Sequence, residues 1–383
     1  MIFDKLILNH DVWKKLSNTV NNNKVPNAFI FSGISGTGKE AHAIEFSAFL
    51  NCKRVVDKKY PCGDCRSCLK IRSLNHEEIY LIHPTPPPKN KSDSNPDQKV
   101  IEEIHKSYKQ KLQNPYHKIK VGNSKTIPIA SIRSLKKKLF FSKSDENWSV
   151  VIISDAEKLC TQRAEAANSL LKILEEPPER TLFILISSNI NLLIPTIQSR
   201  CQKIYFKDHS KSELKSYAEK HLKFDSLDEI IDLSMGSIGQ LILTNSDTSK
   251  NVKDMVDFFY DNDILSIEKL LLSFNETKKS SNEELIKFLN ILKITAKDLY
   301  LMNVDVESNS ISFNFLDENY KKILDSYPKS NWNGIIQLID DSIANFSKNI
   351  NLSLETYALM INVRSCLQGK RVNRFHQQIG SDI

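Results

Sequence analysis

The chain has 383 residues, of which 40% are hydrophobic and 26% are charged, which is an ordinary composition for a soluble globular protein of two or three domains. The formal net charge of +7, from 53 basic and 46 acidic residues, is too small to indicate a nucleic-acid partner by itself. The first residues lack the apolar core of a secretory signal, and the most apolar stretch, Thr181–Ile197, is interrupted by polar residues and a proline. We therefore expect a cytoplasmic protein without a membrane span.

Short apolar runs alternate with amphipathic stretches over the first two hundred residues, which predicts βαβ units on a parallel sheet. The predicted strands are Ala28–Ser32, Glu78–His83, Ser149–Ser154, Thr181–Ser187 and Lys203–Phe206. The predicted helices of this part are Lys39–Leu50, Ile129–Phe141, Arg163–Leu174 and Leu192–Gln198. The stretch Pro84–Asp97 is rich in Pro, Lys, Ser and Asn and predicts a solvated loop or a disordered insertion.

Helical periodicity replaces the strand pattern after about residue 207. The predicted helices are Leu214–Leu222, Leu227–Met235, Val252–Tyr260, Ile264–Ser273, Asn282–Met302, Asn314–Ser326, Trp332–Phe346 and Ser353–Gly369. We therefore predict three domains: a parallel α/β domain at residues 1–207, a small helical domain at 208–246 and a helical bundle at 247–383.

A phosphate-loop motif lies between the first predicted strand and the helix that follows it. Its defining residues are Gly33, Gly36, Gly38 and Lys39. In such loops the backbone N–H groups and the helix N-terminus bind phosphate, and the lysine reaches the outer phosphates. The strand–loop–helix context favours descent from a phosphate loop over a glycine-rich turn without a ligand.

The residues that would hold a magnesium ion are altered in this motif and in its partner strand. The position after the lysine, usually Ser or Thr, is Glu40, and a carboxylate there repels the phosphates by roughly 4 kcal/mol at about 4 Å for an effective dielectric near 20. The strand that completes such a nucleotide site usually ends with acidic residues that hold the ion and polarise the attacking water, whereas this chain has Ser154 and Asp155 after its apolar run. We therefore expect no ATP hydrolysis, while the sequence leaves open whether ATP still binds.

Four of the seven cysteines are clustered in the sequence, at Cys52, Cys62, Cys65 and Cys68. Two CxxC steps and one more remote cysteine are typical of a closed tetrahedral site for structural Zn²⁺. Free or redox-active thiols and an iron–sulfur cluster are the alternatives. A closed site of four cysteines leaves no position for a substrate, so we expect it to stabilise a small module beside the first helix.

The chain resembles the clamp-loader AAA+ subunits of bacterial DNA polymerase III. The resemblance is carried by the phosphate loop, the inserted four-cysteine module and two further segments, Ala166–Pro178 and Leu193–Cys201. These segments are similar to the family motifs NALLKxLEEPP and lPTIxSRC. The resemblance covers about residues 1–240 and implies an AAA+ domain, a helical lid and a C-terminal collar for the three predicted domains.

The resemblance also implies roles for single residues. Arg200 occupies the position of the arginine that stabilises ATP held by the neighbouring subunit, known as a trans arginine finger. The alternative for Arg200 is an ordinary surface ion pair. Gly239 stands where ATPase members of the family usually place a lid arginine. A chain that keeps the finger arginine but lacks the residues needed for its own ATP hydrolysis resembles the delta-prime type of subunit.

Three functional interpretations follow from these features. The leading one is a non-hydrolysing subunit that acts with tau/gamma-type and delta subunits, and through them with the sliding clamp and primer–template DNA. The second is a tau/gamma-type ATPase that uses Glu40 and Asp155 in an atypical metal site. The third is an independent nucleic-acid-binding zinc module, suggested by basic residues near the cysteines, namely Lys53, Arg54, Lys58, Lys59, Arg66, Lys70 and Arg72.

Overall fold

The computed structural model describes residues 1–86, 98–122, 124–141, 146–160, 164–222, 227–244, 282–304, 311–313, 316–346 and 352–370. They form two compact units, one of residues 1–225 and 234–243 and the other of residues 226–233 and 244–383. The predicted division into three domains stays a prediction. The predicted helices Val252–Tyr260 and Ile264–Ser273, and most of the predicted loop Pro84–Asp97, lie outside the described residues.

The first unit is built on a parallel five-stranded sheet. Its strands, in chain order, are β1 Ala28–Ser32, β2 Ile79–Ile82, β3 Ser149–Ile153, β4 Thr181–Ser187 and β5 Gln202–Tyr205. Their spatial order is β2-β3-β4-β1-β5, and every neighbouring pair is parallel. All residues of β1, β3 and β4 are buried, as expected for central strands that are covered on both faces.

The helices of this unit surround the sheet. They are α1 His10–Asn21, α2 Lys39–Asn51, α3 Arg66–Arg72, α4 Gln98–Gln113, α5 Ile129–Phe141, α6 Glu165–Glu175, α7 Pro195–Gln198, α8 Lys211–His221 and α10 Ile238–Leu243. Helices α5 and α6 pack on β1, β3 and β4 through Ile132, Leu135, Leu170 and Ile173. The observed sheet confirms the predicted parallel α/β fold class.

Some helices of this unit were not predicted, and one predicted helix is shorter than expected. The unpredicted helices are α1, α3, α4 and α10. The predicted helix Leu192–Gln198 begins only at Pro195. Ile194 is extended, with a ψ angle of 140°, because a residue that precedes proline avoids the helical region, whereas proline itself suits the first helical position.

Every secondary-structure element in the described part of the second unit is a helix. It contains α9 Leu227–Leu233, α11 Asn282–Asn303, α12 Asp317–Ser326, α13 Trp332–Phe346 and α14 Leu352–Leu367. Helix α13 packs against both α11 and α14. The buried carboxylate of Asp298 on α11 accepts hydrogen bonds from the backbone N–H groups of Ser312 and Phe313, each at 2.9 Å. No helix among the described residues combines the length and the apolar character needed to cross a bilayer.

Candidate functional site

The segment predicted to be a phosphate loop lies between β1 and α2. Gly36 and Gly38 have φ angles of 85° and 83°, in the left-handed region that glycine adopts without steric cost. Gly38 is the N-cap of α2, so the loop leads directly into the helix N-terminus. The structure therefore places Gly33, Gly36, Gly38 and Lys39 in one loop at the N-terminus of α2.

The side chain of Lys39 is turned back onto its own loop. Its ammonium donates hydrogen bonds to the carbonyl oxygens of Gly33 and Ile34, at 2.6 and 2.5 Å. Burial lowers the pKa of Lys39 to about 8, against the attraction of the nearby Glu157 carboxylate. The group that would bind the outer phosphates of a nucleotide is thus engaged inside the protein.

Glu40 lies in a buried polar network instead of at an open metal site. One carboxylate oxygen is 2.7 Å from the ammonium of Lys111, and the other accepts a hydrogen bond from the hydroxyl of Ser154. Burial alone would raise the pKa of Glu40, but Lys111 and the nearby His83 together hold it below its ordinary value. The two altered metal positions, Glu40 and Ser154, therefore contact each other directly.

Asp155 is also paired with cations of the chain. Its two carboxylate oxygens lie 2.8 Å from the ammonium of Lys118 and 3.2 Å from that of Lys158. Burial would raise the pKa of Asp155, but these two lysines hold it below its ordinary value. A carboxylate clamped between two ammonium groups is poorly placed to polarise a water molecule.

Lys111 and Lys118 come from a segment whose role was not predicted, the helix α4 and the turn that follows it, residues 98–121. The spacing of Ile104, Tyr108 and Leu112 is helical and could have revealed α4. The helix begins directly after the Pro- and Lys-rich stretch, which hid the pattern. The cavity beside the phosphate loop is lined in part by this segment, and it measures only about 50 Å³. The lining residues that follow α4 are Pro115, Tyr116, His117 and Lys118.

The start of helix α10 packs against the other side of the phosphate loop. The hydroxyl of Ser237 donates to the carbonyl of Ser35 at 2.8 Å, and the N–H of Gly239 donates to the carbonyl of Gly36 at 3.0 Å. A Cβ atom at position 239 would lie 2.6 Å from the Cα of Gly36. This backbone contact leaves no room for a side chain at position 239.

Arg200 lies at the opposite end of the sheet from the phosphate loop. It lies two residues before the start of β5, whose first residue, Gln202, is paired with Phe29 near the start of β1, whereas the loop follows the end of β1. Its guanidinium donates to the carbonyl of Thr196 at 2.9 Å and to the carboxylate of Glu175 at 2.6 Å. The structure therefore does not bring Arg200 to the chain's own phosphate loop, and it places the side chain in a partly exposed ion pair.

The four clustered cysteines meet at one point. Their sulfur atoms all lie within 4.8 Å of one another, and those of Cys62 and Cys68 are 3.9 Å apart. Zn–S bonds of about 2.3 Å in a tetrahedron require sulfur separations near 3.8 Å. The backbone N–H groups of Arg54 and Cys62 donate hydrogen bonds to the sulfur of Cys52, at 3.4 and 3.3 Å. The cluster is therefore suited to hold a metal ion.

The cysteine module is attached to the N-terminal helix. Trp13 of α1 stacks on Tyr60 with a ring-centroid distance of 6.2 Å, and its indole N–H donates to the carbonyl of Lys59 at 2.8 Å. The amino group of Met1 donates to the carbonyl of Pro61 at 3.2 Å. Through these contacts, loss of the module's structure would also destabilise the α/β unit.

Several of the basic residues around the module are neutralised by neighbouring carboxylates. The ion pairs are Lys53–Glu146, Arg54–Asp64, Lys70–Glu77 and Arg72–Asp4. All four are at the surface, where such pairs contribute little stability. Their presence reduces the local excess of positive charge that suggested a nucleic-acid-binding module.

Comparison with known sequences identifies a family over the part of the chain that contains the five-stranded sheet. The family described as DNA polymerase III, delta subunit, matches residues 8–210. The gamma/tau subunit of Mycoplasma genitalium is 26% identical over 367 residues, which cover 94% of this chain and 52% of that protein. The delta' subunit of Bacillus subtilis is 31% identical over 195 residues, which cover 51% of this chain and 46% of that protein. The chain spans about half the length of these two relatives.

Two solved structures are distantly similar to the chain. A DNA polymerase III gamma subunit-related protein from Thermotoga maritima matches with a TM-score of 0.40 and 16% identity, over 93% of this chain and 100% of that one. The RuvB Holliday junction branch migration motor of the same organism matches with a TM-score of 0.36 and 14% identity, over 85% and 89%. The family match at residues 8–210 covers more than half of the sequence. The chain belongs to the DNA polymerase III delta subunit family, a clamp-loader family.

Proposed function

We propose that the chain is a non-hydrolysing, delta-prime-type subunit of the DNA polymerase III clamp loader. The observation that carries this proposal is the direct hydrogen bond between Glu40 and Ser154. These are the two positions at which a phosphate-loop ATPase holds its magnesium ion. Asp155 is paired to two lysines as well, so all three carboxylate or hydroxyl groups at these positions are already engaged by the chain.

Arg200 supplies a trans arginine finger to a neighbouring ATPase subunit in this proposal. Its position at the far end of β5 from its own loop supports action on another chain. The Glu175 ion pair does not oppose this role, because an exposed pair of this kind stabilises by only about 0–1 kcal/mol. The guanidinium can therefore exchange Glu175 for the phosphates of a nucleotide at a small cost in free energy.

The proposed partners follow from the family. They are a tau/gamma-type ATPase subunit and a delta subunit in one complex, with the sliding clamp and primer–template DNA as its substrates. Residues 208–246 would form the lid and residues 247–383 the oligomeric collar. The cysteine cluster would hold one structural Zn²⁺ ion, which the sulfur separations support.

A tau/gamma-type ATPase is the second candidate, and the alignment with the Mycoplasma genitalium gamma/tau subunit over 94% of this chain favours it. That function would require Glu40 and Asp155 to hold a metal ion. Both carboxylates are instead engaged by lysines at 2.7 and 2.8 Å. Because a metal ion would have to displace these cations, we favour the delta-prime-type function.

Affinity purification of the tagged chain from its own cells tests the proposal. We expect a second protein to co-purify that has Ser or Thr after the phosphate-loop lysine and an intact Asp-Glu pair. Adding the purified chain to that protein and its delta subunit should increase DNA-stimulated ATP turnover. A chain that is recovered without any such ATPase, and that leaves the reconstituted turnover unchanged, would contradict the proposal.

A further inference from the structure

We propose that residues 98–121 are a built-in occupant of the nucleotide cavity, in which the ammonium of Lys111 replaces the divalent cation. This inference deepens the proposed function, on which it rests for the absence of hydrolysis. It adds that the cavity is closed to nucleotide by the chain itself. Three features support it: the position of the Lys111 ammonium, the engagement of Lys39 within its own loop, and the anchoring of the segment.

Lys111 lies beside the positions that hold magnesium in phosphate-loop enzymes, one in the phosphate loop and one at the end of the second strand of the site. In phosphate-loop enzymes the ion is held by the residue after the loop lysine and by the acidic residue at the end of the second strand. Here those positions are Glu40 and Ser154, and the Lys111 ammonium is 2.7 Å from Glu40. Lys111 is only 2% exposed and also donates to the carbonyl of His117 at 2.8 Å. The cation is thus enclosed by the same segment that supplies it.

The lysine of the phosphate loop and a lysine of the segment are already paired within the chain. Lys39 is bound to its own loop carbonyls, and Lys118 is bound to Asp155. The remaining cavity of about 50 Å³ is far below the roughly 300–1,000 Å³ of small-molecule sites. A nucleotide therefore cannot enter unless residues 98–121 move away from the loop.

The segment is anchored to the body of the unit. The hydroxyl of Tyr116 accepts a hydrogen bond from the N–H of Ile7 at 2.8 Å, and its ring packs on the phosphate loop at Gly38. Tyr116 is 5% exposed, and Ile119 and Val121 are each 2% exposed. Displacing the segment would expose these apolar groups and break the Glu40–Lys111 ion pair, so the closed arrangement is favoured.

A double-mutant cycle on the buried ion pair tests the role of Lys111. We expect Glu40→Gln and Lys111→Met each to lower the folding equilibrium constant on the order of 100-fold or more, because each leaves a buried charge unpaired. The double variant E40Q/K111M should recover most of this loss, since it removes both charges. Lys109→Met, an exposed lysine on the same helix, is the matched control and should change the constant by less than about 3-fold. If the change in the free energy of unfolding of the double variant equalled the sum of the changes in the two single variants, the proposal would be overturned.

Nucleotide binding to the wild-type chain tests whether the cavity is closed. We use Mg·ATP at about 1 mM, the highest KM usual for enzymes. At this concentration we expect no saturable heat of binding and no change in the hydrogen exchange of residues 98–121. Saturable binding would overturn the proposal, whether or not the segment became exposed. That result would leave the trans role of Arg200 standing, because the role is measured on the turnover of the neighbouring subunit. Conversely, an Arg200→Ala variant that leaves the turnover of the neighbouring subunit unchanged would not bear on whether the cavity is closed.

Discussion

Replacing Arg200 by alanine should lower ATP turnover at the site that receives it by about 1,000-fold, the lower end of the effect of an arginine finger. The physical reason is the loss of a positive charge placed against the charge that develops on the transferred phosphoryl group. The measurement is DNA-stimulated ATP hydrolysis by the reconstituted complex. Size-exclusion chromatography would show that the variant subunit still assembles, because the guanidinium of Arg200 bonds to Thr196 and Glu175 at the surface of its own chain.

Two further variants separate the finger from a general effect of surface charge. Lys203→Ala removes an exposed cation three residues away, whose ammonium bonds to Gln198 at 3.1 Å, and we expect it to retain turnover. Glu175→Gln removes the ion-pair partner of Arg200 and should also retain turnover, because the guanidinium itself remains. An Arg200→Ala complex that hydrolyses ATP at the wild-type rate would refute the finger role.

Replacing Cys68 by serine should abolish stoichiometric zinc binding and lower the free energy of unfolding by roughly 4 kcal/mol or more, as loss of a structural metal does. Cys68 is fully buried, so the change leaves three thiolates and a hydroxyl around the ion. The module then loses the crosslink that orders residues 52–68. Because Trp13 stacks on Tyr60 of this module, the destabilisation should reach helix α1.

Elemental analysis and urea unfolding of freshly purified protein would measure these effects. We expect about one zinc ion per chain in the wild type, as a single closed site of four thiolates requires. Cys160→Ser is the matched control, because Cys160 lies outside the cluster, and it should retain the metal. A wild-type chain that carries no metal and resists chelators without loss of stability would contradict the zinc assignment.

The sequence predicted the parts of the fold that depend on neighbouring residues. Strands β1 and β4 and helix α5 have the predicted bounds, because continuous apolar runs and regular helical spacing are local signals. The phosphate loop was predicted for the same reason. The cysteine cluster was recognisable because CxxC turns place two sulfurs beside one another within a few residues.

The contacts that close the site could not be predicted, because they join distant parts of the chain. Glu40 and Ser154 were recognised as altered, but not as hydrogen-bonded to each other. The pairing of Glu40 with Lys111 depends on how α4 packs against the loop, and no local pattern specifies this. The Gly239–Gly36 contact depends on the path of α10 in the same way. The sequence therefore indicated the loss of hydrolysis, while only the structure provides the groups that fill the site.

The ATPase assay of the purified chain alone tests the central claim most directly. The carboxylate of Glu40 is hydrogen-bonded to Ser154 and paired with Lys111, so we expect no hydrolysis above background in the presence of magnesium. Lys39→Ala should leave this baseline unchanged. Turnover at the ordinary ATPase rate of about 1 per second or faster, abolished by Lys39→Ala, would contradict the account.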